Sequence, residues 1–372
     1  MHTMNQEEKN NTQQIKTFAL ELGFDMVKIT SAEKLSAPGE FYEKWLQEGN
    51  AADMEYLKEN TEKRYTPEKI LTGARSIIVL GLNYYKKDYI FPEKFSIAKY
   101  AMGRDYHKVI TSKLKKFAAF LEKISLSNGQ KSSEKSYVDF GPTMERAFAA
   151  KSHMGFIGKN ACIITREYGS YIFLSEIITT LELTPDEPTK WKGQCGSCTR
   201  CIDICPTRAI KPDKTIDSRL CISYLTIENR GAIPIELRPK IGNWLFGCDL
   251  CQDICPHNVR AQPTRVTDFQ NIPLGTQAGG SVELSLGGAS LGGLKSLSLG
   301  QILTIETDEE FVKIFAGTPL TRAKRRGLIR NACVVAGNLK LTELLPQLKK
   351  LSQSDDEMIA EHAAWAIQQS CP

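Results

Sequence analysis

Hydrophobic positions define the first element. Ile15, Phe18, Ala19 and Leu22 fall on one helical stripe beginning at Thr12, Gly23 is placed to end the helix, and residues 25–30 alternate as a strand does. Residues 76–80, Ser-Ile-Ile-Val-Leu, predict a buried strand, residues 105–124 an amphipathic helix, and residues 137–138 and 171–174 two further short strands. This succession predicts an α/β-type domain over residues 1–185. Pro185 and Pro188 mark a linker, after which cysteines dominate as far as Pro256, giving a second domain over 186–262. Residues 263–300 read as a linker with a low-complexity insertion, because eight glycines fall among the 26 residues from 275 to 300. Beyond it the pattern is helical over 301–372, with Leu328, Ala332 and Val335 on one stripe and Leu341, Leu344, Leu345 and Leu348 on the next. The spacing predicts about one and a half to two HEAT-like repeats, too few to stand alone, so they are expected to pack against the rest of the chain. The expected fold is an α+β multidomain protein.

A chain of 372 residues is long enough for two or three domains with a sizeable core. No run of about 18 apolar residues predicts a membrane span, and the polar start lacks the apolar stretch of a secretory signal, so a cytoplasmic location without a membrane partner is expected. A net charge of +5 permits a nucleic-acid partner without arguing for one. Eleven cysteines would suggest disulfides in a small secreted chain. In a cytoplasmic one, dense short spacings point to metal or redox chemistry.

Cys195, Cys198 and Cys201 are each three apart, Cys205 follows four later, and Pro206 comes next. This is the bacterial ferredoxin run, in which three thiolates hold one [4Fe-4S] cluster and the fourth reaches the other. A second run, Cys248, Cys251, Cys255 and Pro256, ends the same way, but Leu245 stands where its first cysteine should be. Cys221 is the only other cysteine in this domain and can supply the missing thiolate. The expected sets are Cys195, Cys198, Cys201 and Cys255 for one cluster, and Cys205, Cys221, Cys248 and Cys251 for the other. Two structural zinc sites are the alternative reading, disfavoured by three cysteines in strict succession before a Cys-Pro. Cys162 and Cys333 lie in apolar stretches and are expected in the core.

No dinucleotide or phosphate-loop motif is present, so the sequence shows no hydride carrier. Asp105-Tyr-His107 suggests a cobalt-ligating Asp-x-His-x-x-Gly loop, but Ile110 occupies the glycine position, and a helix-start histidine is the preferred reading.

Several stretches together resemble the epoxyqueuosine reductase family. They are Tyr137-Val-Asp139-Phe-Gly-Pro-Thr-Met-Glu-Arg-Ala-Phe, Gly155-Phe-Ile-Gly-Lys159-Asn160 with Tyr168-Gly-Ser-Tyr171, both cysteine runs, and Lys324-Arg-Arg-Gly-Leu-Ile-Arg-Asn331. Residues 98–107 and 241–251 are similar to that family as well, whereas the Gly-rich insertion departs from it. The resemblance implies a cobalamin- and iron-sulfur-dependent enzyme that reduces epoxyqueuosine to queuosine at the wobble position of tRNA. It implies base-off cobalamin between the first domain and the cluster domain, electrons supplied one at a time by an external donor, and a monomer. It makes Asp139 the proton donor, with a carboxyl kept protonated by burial. It places Arg64, Ala98, Asp139, Lys159, Ser170, Ser223 and Asp249 around the corrinoid, and turns the basic run Arg322, Lys324, Arg325, Arg326 and Arg330 to the anticodon stem. Taken alone, Asp139 would pass as a turn former and the basic run as a solvated helix face. The competing functions are a reductive dehalogenase, which shares both cofactors, and a non-catalytic electron carrier.

Overall fold

The computed structural model describes residues 6–87, 89–127, 131–270, 285–286, 289–290 and 294–370. Most of the Gly-rich insertion, and Cys371, lie outside the described residues.

Helix α1 (Gln6–Glu21) ends at Gly23, whose φ of +82° is one that glycine adopts without a Cβ penalty, and the chain enters β1 (Met26–Ser31). Helices α2 (Ser36–Gln47) and α3 (Thr61–Tyr65) lead to β2 (Ser76–Asn83), in which every residue is buried. The short β3 (Ser96–Ile97), helix α4 (Tyr106–Ser127), β4 (Glu134–Tyr137) and helix α5 (Glu145–Lys151) follow. After the small hairpin of β5 (Phe156–Ile157) and β6 (Ile163–Ile164), β7 (Ile172–Thr179) returns to the main sheet. That sheet has the order β1-β2-β7-β4, and every neighbouring pair is antiparallel. The α/β-type expectation is corrected here: helices and strands alternate, but the strands do not run parallel, so the domain is α+β.

Alternation along β2 and β7 gives the sheet two apolar faces. Ile78, Leu80, Phe173 and Ile177 meet α1 and α4, whereas Ile77, Val79 and Ile178 meet Phe148 and Ala149 of α5 and Tyr65 of α3. A third core crosses the expected linkers, joining Phe95 and Ile97 to Leu225, Leu245 and Phe246 and to Leu328, Ile329 and Trp365.

Each cysteine run opens a one-turn helix, α6 (Arg200–Asp203) and α9 (Leu250–Asp253), and α7 (Ile222–Ile227), α8 (Arg238–Ile241) and β8 (Trp244–Phe246) lie between. Pairing of β8 with β3 ties this part to the first domain. The remaining helices are α10 (Leu299–Leu303), α11 (Asp308–Phe315), α12 (Lys324–Asn338), α13 (Leu345–Leu351) and α14 (Glu357–Ser370). As the apolar stripes require, they pack against the rest of the chain. Asn331 of α12 donates to the carbonyls of Thr226 (2.7 Å) and Leu245 (3.0 Å), both behind the cysteine runs. Among the described residues no helix is long and apolar enough to cross a membrane.

Candidate active site and iron-sulfur centre

Four of the thiols converge on one cavity. Cys195, Cys198, Cys201 and Cys255 line one cavity together with Lys159, Asn160, Arg200 and His257. Cys248 lies within electrostatic reach of Cys221 and Cys205, and Cys251 within reach of Cys248 and Cys221. Leu245, the residue at the vacant ligand position, is buried in β8. Backbone N–H groups point at the sulfurs, from Lys159 to Cys195 (3.4 Å) and from Ala209 to Cys205 (3.4 Å). Such donors stabilise charge on cluster-bound sulfur. Burial pushes the thiols of Cys201, Cys221, Cys248, Cys251 and Cys255 up, so bare thiolates would be costly here, and bound iron would supply the charge that offsets this. The donor set fits two clusters.

Cys333 is fully buried in α12, as expected. Cys162 is different. It is only half-buried and lies beside Cys251, and Asn160 links the two by accepting from the Cys162 N–H (3.3 Å) and donating to the Cys251 carbonyl (3.4 Å).

About Asp139 the chain gathers a second constellation. The residue follows β4 with φ +62°, a left-handed conformation uncommon outside glycine, asparagine and aspartate. Its carboxylate accepts from the Tyr106 hydroxyl in a very short hydrogen bond, and its Oδ2 lies 3.5 Å from Nε2 of His107. The other imidazole nitrogen, Nδ1, is 2.8 Å from Asp105 Oδ1. Because α4 begins at Tyr106, its first turn aims both side chains at the loop after β4, and the Tyr106 and His107 rings stack at 4.1 Å. Arg322 approaches from the far side of the fold, held by Glu228 at 2.7 Å and lying 5.9 Å over the Tyr56 ring.

Desolvation acts to raise the Asp139 carboxyl, but hydrogen bonds from His107 and Tyr106 and the charges of His107 and Arg322 outweigh it. The group is held below its ordinary value. This corrects the expectation of a carboxyl kept protonated by burial. The proton resides on the partner: burial disfavours the imidazolium of His107, yet Asp105 and Asp139 override it and carry the group up to about 9. His107, read from sequence as a helix-start residue, is therefore a member of the site. Its signal was the Asp-x-His spacing, which lets Asp105 orient the ring.

The other expected residues scatter. Arg64 donates to the Tyr56 carbonyl (2.8 Å) and lies over the Tyr42 ring, while its Nε is buried without a partner. Ala98 is buried where a Cβ on Gly247 would come within 2.5 Å of its own. Lys159 is turned to the first thiol set, donating to the carbonyls of Gly196 and Cys198, both at 3.0 Å. Ser170 is buried and bonded to Gln252 and Asn258 at 2.9 Å. Ser223 is half-buried in α7. Asp249 is buried and accepts from the Lys99 N–H (2.6 Å), and its carboxyl is pushed up to about 6 by burial, against the pull of the Lys99 ammonium.

The basic run also divides. Arg325 pairs with Asp308 at 3.0 Å and Arg326 with Asp356, while Lys324 is exposed with φ +60° and ψ 166°, backbone geometry found almost only in glycine. Arg330 is corrected: it is fully buried, donating to the carbonyls of Leu225 (2.6 Å), Asn229 (2.9 Å) and Gly231 (2.6 Å), and cannot reach a phosphate.

The family model described as "4Fe-4S double cluster binding domain" matches residues 194–258, and that described as "Epoxyqueuosine reductase QueG, DUF1730" matches residues 64–139, ending on Asp139. The chain is 37% identical to the epoxyqueuosine reductase of Pseudomonas aeruginosa, over 95% of this chain and 93% of that one. Among solved structures it is similar to an epoxyqueuosine reductase bound to an epoxyqueuosine-modified tRNA-Tyr stem loop, with TM-score 0.83, 30% identity, and coverage of 97% of this chain and 90% of the other. It is also similar to the Bacillus subtilis enzyme in a form whose catalytic aspartate loop is swung out of the active site, with TM-score 0.79, 29% identity and the same coverage. On this evidence of sequence and fold, the chain belongs to the epoxyqueuosine reductase family.

Proposed function

We propose that this protein reduces epoxyqueuosine to queuosine at the wobble position of tRNA, with Asp139 and His107 handling the proton that opens the epoxide. The observation that carries the reading is the Asp139–His107 pair, a carboxylate holding an imidazolium 3.5 Å away at an open loop. Asp139 orients the proton, and His107 keeps it available at neutral pH. Asp105 holds the ring from behind, as the third member of such a relay does. The positive φ of Asp139 and the exposed Phe140 beside it suit a loop that moves to admit a bulky substrate.

The residues present fit a base-off cobalamin on this side of the cluster domain, since the unpartnered Arg64 Nε offers a donor to an acceptor on a bound ligand. Arg64, Ser223 and the Asp139 loop would hold it, with Ala98 and Asp249 in the wall behind. Bound there, cobalamin supplies low-valent cobalt, a strong nucleophile, charged by electrons that the two clusters pass on from an external donor. Arg322, Lys324, Arg325 and Arg326 lie exposed or half-exposed, where they can neutralise phosphates of the anticodon stem. Tyr56 and Phe140 are exposed, each with one ring face toward Arg322 and His107 respectively and the other available for stacking of splayed bases.

The test is anaerobic reconstitution with iron, sulfide and cobalamin, followed by conversion of epoxyqueuosine-containing tRNA to the queuosine form. Absence of conversion by a fully loaded, reduced enzyme overturns the reading.

A further inference from the structure

Beneath the Asp139 loop lies a group of buried polar atoms that this reaction scheme does not use. Glu176 sits in the middle of β7, opposite Val79 of β2 and Tyr137 of β4. Alternation turns it to the face covered by α5, and it is fully buried, with neither carboxyl oxygen finding a hydrogen-bond partner. Glu145 opens α5, and its Oε1 is also buried and unpartnered. Thr143, two residues before it, has a buried hydroxyl within reach of both carboxyls.

The charged and titratable neighbours are few. Glu176 feels only Glu145. Glu145 feels Asp139 at the head of the same loop and, more weakly, Arg146 of its own helix, and Tyr42 of α2 faces it. Among the described residues no cation bonds either carboxyl. Two ionised carboxylates buried side by side disfavour each other's charge, so the pair retains protons. Burial is the largest effect on both groups, and it pushes Glu145 up to about 8.

Reduction of an epoxide to an alkene consumes two electrons and two protons: both C–O bonds break, a C=C bond forms, and the oxygen leaves as water. The Asp139–His107 pair holds one proton at neutral pH, so each turnover needs a second. We propose that Glu145 and Glu176, with Thr143, form a proton reserve that recharges the Asp139–His107 pair within each turnover. The proton leaves a carboxyl oxygen of the glutamate pair, passes by way of the Asp139 carboxylate, and arrives at the free imidazole nitrogen of His107. No electron moves in this step, and the emptied pair refills from solvent.

This inference rests on the reading of Asp139 as part of the acid, and the tests separate the two. The first uses the reconstituted enzyme without substrate. The infrared carbonyl absorption of an un-ionised carboxyl group should be present at pH 7 in the wild type and diminished in both Glu176→Gln and Glu145→Gln. The second is single-turnover conversion by pre-reduced enzyme as a function of pH. Both Gln variants should lose rate increasingly toward alkaline pH, by ~10-fold or more at the alkaline end, because bulk solvent must then supply the second proton. Glu145→Gln lies at the start of a helix and serves if Glu176→Gln fails to fold. No change in the carboxyl band, or a loss of rate equal at every pH, overturns the reserve and leaves these residues structural. Wild-type conversion by Asp139→Asn overturns the acid reading, and with it the route from reserve to substrate, whatever the infrared result.

Discussion

Nε2 of His107 and Oδ2 of Asp139 face each other at 3.5 Å, and each alters how the other holds a proton. His107 should titrate near 9, followed by the NMR signals of its ring protons, against an ordinary value near 6.5. Because its folded pKa is raised, the contribution of His107 to stability is present below about pH 6.5, while Asp139 and Asp105 stay ionised, and is lost as pH rises through about 9. Asp139→Asn should lower the His107 titration, and Asp105→Asn should lower it also. A midpoint that stays fixed in both variants would mean that the imidazole takes its value from elsewhere.

Asp139→Asn has nearly the same shape but no carboxylate to orient the proton. Single-turnover conversion should fall by roughly a hundred- to ten-thousand-fold, while iron content and tRNA binding stay at wild-type levels. Wild-type-like conversion would pass the role to another group.

The thiol sets predict about eight irons per chain after reconstitution, measured with acid-labile sulfide. Cys221→Ser should lose one cluster, about half of that iron, because Cys221 is the cysteine assigned in place of the ligand missing at Leu245. Cys162→Ser should retain the full amount, although it lies close to Cys251, since Asn160 contacts only the backbone of both residues. Equal iron loss from the two changes would show the ligand sets to be wrong.

The basic run offers a contrast between charges that differ only in burial. Gln at Arg322, Lys324, Arg325 and Arg326 should weaken tRNA binding and flatten its dependence on salt, measured by titration at several salt concentrations. Arg330→Gln should leave that slope alone but destabilise the fold by about 2–3 kcal/mol, because three buried carbonyls lose their donor. Unfolding in denaturant separates the two outcomes.

Much of this arrangement was legible in the residues themselves. The double-cluster domain is legible in the two cysteine runs, each ending in Cys-Pro, because a cluster cage fixes the spacing of its ligands. The strand ending at Leu174 in the sequence reading runs on to Thr179, because Ser175 and Glu176 break the apolar run without breaking the sheet. A pattern of burial cannot announce a buried acid. Spacing places His107 at a helix start, where it does lie, but not against Asp139, because that partner is far along the chain and only the turn after β4 brings them together. The sheet's direction was missed for a similar reason, since alternating helices and strands are compatible with either sense of pairing. Arg322 and Arg330 look alike in a run of basic residues. One helical stretch turns the first to the Asp139 loop and the second inward.

The bonds from α12 to the back of the cysteine runs also carry a consequence for biogenesis. Asn331 and Arg330 supply the donors for carbonyls of Leu225, Thr226 and Leu245, between Cys221 and Cys248. On the ribosome, all eight thiols emerge well before α12 does. Until it arrives, the wall behind the second set is unfinished, with its carbonyls open to water and its thiols to oxygen. A chain cut short ahead of α12 keeps every cysteine of the two runs and still lacks the wall behind the second of them.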